Sequence, residues 1–439
     1  MNNIVICCDG TGNEISENIS NVLKLYRCLR KTKKTEPNQA VFYDPGVGTL
    51  ARPDPWHKLR QDFNAILGLA TGYGLDDNVL ASYIFLASTY EDGDRIYLFG
   101  FSRGAYTVRV LAGLIHKVGL ISPPQINLAG SGLTAYKQIP PAGQEVGVGV
   151  DPGSLAETDD DEGPLPSAKN DAAAQFARIL STRWPTIHFV GVWDTVASVI
   201  VPRPDRFYLP SLEELAFTLH NPSVKTFRQA IAIDERRCMF RLKKWEQPQT
   251  FTHNRINQAK AEPQDIMQVW FAGVHADIGG GYPEKESSLS KYPLIWMIDE
   301  AVKCGLAVNP RSVNQMAWGV QRKGSPFSYV VPDVAGDLHT SLAGAWWILE
   351  YIPKKAKYKE WPARRSHFGF YIPDAEPRFI PDGALIHDSA LKRMAAVEEY
   401  KPVNLPARYD TVSMPVGPQT IAMIGGDGTR DGLIPPPRT

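Results

Sequence analysis

Short apolar runs rich in β-branched and aromatic residues recur along the chain at residues 4–8, 40–43, 95–99, 187–193 and 266–274, each stopped by Gly, Asp or Pro. Runs of that length and type predict strands buried on both faces. Between them, apolar positions return every three to four residues over 19–32, 76–90, 105–117 and 289–304, the spacing of amphipathic helices. Strands alternating with helices predict an α/β chain, a mostly parallel doubly wound sheet with ligands outside the carboxyl ends of its strands.

Two stretches break this rhythm. Residues 121–185 are rich in Pro and Gly and carry the acidic run Thr158-Asp159-Asp160-Asp161-Glu162. That run lacks the spacing of an EF-hand loop, so it reads as a solvated insertion rather than a calcium site. Residues 306–375 are rich in Trp, Tyr and Pro and include the aromatic segment 342–351; they read as a cap or lid over the sheet edge, with the aromatic segment a candidate for transient contact with a membrane surface. The organisation expected is one domain over 1–410 with these two insertions, followed by a poorly ordered Pro-rich tail over 411–439.

Composition narrows the class. With 439 residues, 43% hydrophobic and 21% charged, the chain is expected to be globular with a large core rather than disordered or fibrous. Lys plus Arg and Asp plus Glu are 47 each, so no global field recruits nucleic acid. Cys7, Cys8, Cys28, Cys238 and Cys304 form no CxxC pair, which suits a reducing compartment. The start of the chain has no basic segment ahead of a signal-like apolar run, and no stretch reaches ~18 apolar residues. The expected location is the cytoplasm, any export using a route without a signal peptide.

The sharpest chemical signal is Gly100-Phe101-Ser102-Arg103-Gly104, placed directly after the strand at 95–99 and before the helix at 105–117. A serine nucleophile on a strained strand-to-helix turn needs small residues on both sides, and the helix N-terminus behind it favours the negative charge of acyl transfer. The oxyanion hole is expected from the amide of Arg103 and from Gly10 and Thr11 in Asp9-Gly10-Thr11-Gly12-Asn13, a loop where glycine lets backbone amides approach a substrate. Asp9 also suggests a rival, a metal-dependent phosphate-ester hydrolase. That chemistry needs a D-x-D-G-T sequence, and Cys7 occupies the place of the first Asp.

Nine histidines are available as bases. In this fold the order is Ser, acid, His, and two pairings satisfy it. Asp277 follows Gly273-Val274-His275, with His387 in Ile386-His387-Asp388-Ser389; alternatively Asp194, in Trp193-Asp194-Thr195, serves as acid with His275 as base. Counting strands favours the first, because Asp194 ends the strand after the nucleophile strand and Asp277 the next one, where hydrolases most often place the acid. Asp194 and His275 then remain as accessory groups beside the site.

Taken together, these blocks with Gly279-Gly280-Gly281-Tyr282 resemble an uncharacterised α/β-hydrolase domain family, the one that includes the first phospholipase class of type VI secretion lipase effectors. The resemblance implies an α/β-hydrolase fold and a bacterial serine hydrolase cleaving phospholipid or other lipid acyl esters, with Ser102 as nucleophile, Asp277 as acid and His387 as base. It implies no metal or organic cofactor. The partners implied are a lipid or small ester substrate and, for an effector, an immunity or delivery protein. A catalytically silent module on the same fold is the competing expectation.

Overall fold

The computed structural model describes residues 1–10, 18–32, 36–46, 74–139, 172–196, 200–202, 210–212, 215–253, 261–344, 346–415 and 417–418. Thr11 and the acidic run lie outside them. Eight strands form one sheet: β1 (Asn3–Cys8), β2 (Gln39–Asp44), β3 (Arg95–Phe101), β4 (Ile187–Trp193), β5 (Val224–Ala232), β6 (Asp265–Phe271), β7 (Ala384–His387) and β8 (Tyr409–Val412). Their order across the sheet is β8-β7-β6-β5-β4-β3-β1-β2, and every pairing is parallel. The α/β class is as expected, with β1 next to β3 as the point where the winding reverses.

Period-two alternation distributes the strand residues between two cores. Ile4, Ile6 and Leu98 face a cluster with Val79, Leu86, Leu111 and Leu114 from α2 (Leu75–Thr89) and α3 (Arg103–Val118). Val5, Cys7, Tyr97 and Phe99 face the other cluster, with Val22, Leu25, Ile295 and Ile298 from α1 (Asn21–Cys28) and α5 (Lys291–Lys303). Between β6 and α5 lies the short helix α4 (His275–Gly279).

Three strands carry no legible apolar run. β5 reads Val-Lys-Thr-Phe-Arg-Gln-Ala-Ile-Ala, and its Arg228 and Gln229 are buried but partnered. Arg228 pairs with Glu300 at 2.7 Å and Asp265 at 2.8 Å, while Gln229 accepts from Arg109 at 2.7 Å and donates to the Lys243 carbonyl. Such satisfied groups are allowed inside. β7 and β8 have four residues each, and β8 crosses the expected domain boundary at 410 because its register with β7 runs to Val412.

The insertions are less separate than expected. Leu306, Val308, Val313, Met316 and Ala317 are buried with α1 and α5 in the second core, and Val308 bridges Leu29, where α1 ends in extended backbone. Residues 306–317 are therefore body rather than cap. Likewise Leu133, Tyr136 and Ala173, at the two ends of the 121–185 stretch, pack in the first core. Farther along, α6 (Trp346–Glu350) and a ladder of Lys354–Lys355 with Phe370–Tyr371 precede β7, and α7 (Asp388–Ala396) follows it.

Candidate active site

The turn after β3 has the geometry that its glycines suggested. Ser102 sits at φ +56°, in a region costly for a residue with a side chain and typical of functional strain. Its N–H donates to the Trp193 carbonyl at 3.1 Å, extending the β3–β4 ladder. A Cβ on Gly100 would lie 2.4 Å from the Gly104 carbonyl oxygen, and one on Gly104 would lie 2.1 Å from that of Cys8. Neither position accepts any other residue without moving backbone. α3 begins at Arg103, so the helix N-terminus points its partial positive charge at Ser102.

His275 stands opposite. Its Nε2 is 2.8 Å from Ser102 Oγ, and its Nδ1 is 2.5 Å from Asp194 Oδ2. β4 delivers Asp194 at its carboxyl end, where φ is +39°, and the turn after β6 delivers His275 at the start of α4. Phe101 and Phe240 flank the imidazole with ring centroids 4.7 and 4.8 Å away. Ser102, Asp194 and His275 are all buried.

Asp194 is held by a group that sequence reading did not single out. Arg378 donates to its Oδ1 at 2.5 Å and its Oδ2 at 3.1 Å, and Ala232 N–H donates to Oδ1 at 3.0 Å. Burial opposes ionisation of this carboxyl, but Arg378 and the His275 hydrogen bond outweigh it and hold Asp194 well below the usual carboxylate range. Removing one member of such a buried pair typically costs about 3–5 kcal/mol, because the other charge is stranded. Burial pushes the His275 imidazole below its ordinary value, with Asp194 partly offsetting the shift. An Nδ1 facing an anionic carboxylate carries the proton, which leaves Nε2 as an acceptor for the serine hydroxyl.

Asp277 and His387 are not brought to Ser102. Asp277, two residues after His275, turns away: its Oδ2 accepts from Val274 N–H at 3.0 Å, as an N3 acid does at a helix start, and its Oδ1 is 2.7 Å from His339 Nδ1. The hydrogen bond and charge of Asp277 hold the His339 imidazole above its ordinary value, and Tyr282 stacks on its ring. His387 caps α7, its Nδ1 accepting from Ser389 N–H at 3.2 Å while its ring stacks on Phe271. Burial lowers its pKa to about 4. The strand count that favoured Asp277 fails because β5, unread in the sequence, lies between β4 and β6.

The oxyanion residues divide. Arg103 follows Ser102 at the first position of α3. Gly10 lies against the site, since a Cβ there would be 3.4 Å from that of Ser102, but its N–H donates to Asp9 Oδ1 at 2.7 Å. Asp9 is buried and also receives Ser20 Oγ and, at 2.8 Å, the Tyr43 hydroxyl. It is tied to Gly10, Ser20 and Tyr43 rather than facing solvent. Among the described residues no group of three His, Cys, Asp or Glu is arranged to hold a metal ion.

α6 lies over the imidazole side of the site. Trp346 meets Phe240 edge-on at 5.4 Å, and Arg237 lies 3.6 Å above the Phe240 ring. Trp347, Ile348 and Tyr351 face outward and are exposed. No helix among the described residues is long and apolar enough to cross a membrane.

The chain is 24% identical to uncharacterized protein YEL023C of Saccharomyces cerevisiae, over 74% of this chain and 60% of the yeast protein. An uncharacterized protein from Pseudomonas aeruginosa matches 71% of this chain and 47% of its own at 18% identity, with a TM-score of 0.34. A Tle1 effector solved bound to the VgrG spike of the type 6 secretion system matches 65% of this chain and 52% of its own at 18% identity, with a TM-score of 0.33. The chain thus spans about half to three fifths of the length of these relatives. A family model described as the T6SS phospholipase effector Tle1-like catalytic domain matches residues 2–300, the segment that carries Ser102, Asp194 and His275, and the chain belongs to that family.

Proposed function

We propose that the protein is a serine hydrolase of carboxylic esters, acting on phospholipid or other lipid acyl esters through Ser102, His275 and Asp194. The observation that carries this reading is the continuous hydrogen-bonded line from Ser102 Oγ through both imidazole nitrogens to Asp194 Oδ2. Nε2 takes the serine proton as Oγ attacks the ester carbonyl; the imidazolium then protonates the leaving alkoxide, and water resolves the acyl-enzyme by the same path. The Arg103 amide, next to the elbow, is the proposed oxyanion donor, aided by the helix dipole. Lipid as substrate rests on membership of a phospholipase effector family. Delivery by a secretion spike rests on the Tle1 effector bound to VgrG alone, an immunity partner on the sequence resemblance, and cytoplasmic synthesis on the sequence.

A metal-dependent phosphate-ester reaction at Asp9 is disfavoured, because both carboxylate oxygens are engaged by the protein's own donors. A panel of p-nitrophenyl esters, phospholipids and phosphomonoesters tests the reading, run with wild type and Ser102→Ala. Ester hydrolysis lost in the mutant supports it. Activity confined to phosphomonoesters, or retained in the mutant, overturns it.

A further inference from the structure

We propose that Arg378 is a positioning residue for the acid–base pair, fixing the plane and the charge of Asp194 so that His275 is aimed at Ser102. This rests on the triad reading above and adds to it a residue beyond position 300, where the match to the catalytic-domain family ends.

Both Nη groups of the guanidinium are engaged, while its buried Nε has no partner among the described residues. Nη1 reaches Asp194 Oδ1 and the Ala232 carbonyl, at 2.5 and 3.2 Å; Nη2 reaches Asp194 Oδ2 and the Phe240 carbonyl, at 3.1 and 2.8 Å. A bidentate pair of this kind sets orientation as well as charge. It also occupies Asp194 so completely that each carboxylate oxygen has two donors, and only one of the four is His275. Arg378 is itself immobilised: it is 2% exposed, and Asn404 Nδ2 donates both to its carbonyl and to that of Ile233, at 3.1 and 2.9 Å.

The anchoring points belong to the site. Ala232 ends β5, beside the strand that delivers Asp194, and Phe240 packs against the His275 ring. The segment between the insertion and β7 therefore completes a triad whose three members all precede it in sequence. Its chemical effect is specific. A cation on the far side of the acid disperses the carboxylate charge that otherwise favours imidazolium, so the base stays neutral to lower pH. The other charged groups facing His275 are Glu235, which accepts its N–H at 3.1 Å, and Arg237, which is paired with Glu235. Asp277 on its own helix is paired with His339. Among these, only Arg378 bonds directly to the acid.

The test compares Arg378→Gln and Arg378→Lys in the full chain, with p-nitrophenyl butyrate as the probe, following kcat, KM, the pH profile and the folded fraction. Arg378→Gln is expected to lower kcat by about 10²-fold with KM little changed, and to move the acid limb of kcat/KM upward by roughly one pH unit. Arg378→Lys keeps the charge and loses the fork, so the limb should stay in place while kcat falls. If Arg378→Gln does not fold, the lysine variant decides alone: lowered kcat at an unmoved limb supports the proposal, and wild-type kcat overturns it. Loss that merely tracks the unfolded fraction, with the limb unmoved in Arg378→Gln, also overturns it and leaves a structural ion pair. Failure of the triad reading looks different, because Ser102→Ala or His275→Gln would then keep activity.

Discussion

His275 and Asp277 stand two residues apart on one short helix and serve different partners, His275 bonding Ser102 and Asp194 while Asp277 bonds His339. In a helix, positions two apart do not face each other, so a single turn presents one side chain to Ser102 and the other to the inserted segment. The sequence placed both at the same strand end and could not tell these directions apart.

Replacing Ser102 by Ala should reduce ester turnover by about 10³-fold or more while the fold persists. The elbow tolerates the small side chain, and α3 does not use the hydroxyl as a cap. Steady-state kinetics beside circular dichroism check this, and labelling of wild type but not the mutant by a fluorophosphonate separates an enzyme from a silent module. A folded mutant that keeps most of its activity rules the nucleophile out.

The acid and base are ranked by mutation. His275→Gln should cost nearly as much as loss of Ser102, because a triad acts as a unit. Asp194→Asn should cost heavily in rate and also in stability, since it leaves Arg378 buried without its anion. Asp277→Asn and His387→Asn should retain most activity. The reverse ranking in kcat would return the triad to Asp277 and His387.

The two buried histidines give separable pH effects. His275 must be neutral to act as base, and burial lowers its pKa, so the acid limb of kcat/KM should lie below about 6.5, the unperturbed value, with rate rising through it as pH rises. His387 concerns stability. Its folded pKa of about 4 lies below that of the unfolded chain, so unfolding takes up a proton between about pH 6.5 and 4 and stability falls as pH falls through that window. His387→Asn keeps a good N-cap residue and should flatten that slope in denaturant titrations. An equal slope in wild type and mutant would contradict the assignment.

The neighbouring tryptophans should behave differently. Trp346 packs edge-on against Phe240 beside the imidazole, so Trp346→Ala should lower thermal stability and hydrolysis of both soluble and vesicle substrates. Trp347 is 40% exposed next to exposed Ile348 and Tyr351. Trp347→Ser should leave soluble ester hydrolysis near wild type and impair hydrolysis of phospholipid vesicles, as an interfacial aromatic would. Equal rates on vesicles before and after the change would remove the membrane-contact role from this face.

Local sequence determined β1, β2, β3, β4 and β6 and the turn that carries Ser102. β1, β3 and β4 are short runs dominated by apolar residues, and the small residues around Ser102 are forced by backbone approaches within a few residues or between adjacent strands. Those signals are short-range and survive in a linear reading. Tertiary structure alone decided the rest. β5 is buried with the ion pairs of Arg228 and the hydrogen bonds of Gln229 satisfying its polar groups, so its strand character depends on Glu300, Asp265 and Arg109. Once that strand separates β4 from β6, the ends of β4 and β6 bring Asp194 and His275 together, while His387 turns inward to cap its own helix. Arg378 joins Asp194 across 184 residues. Pattern along a chain records which face each residue presents, but choosing between chemically equivalent carboxylates and imidazoles requires the direction of each side chain in space, and the packing of distant segments sets that direction.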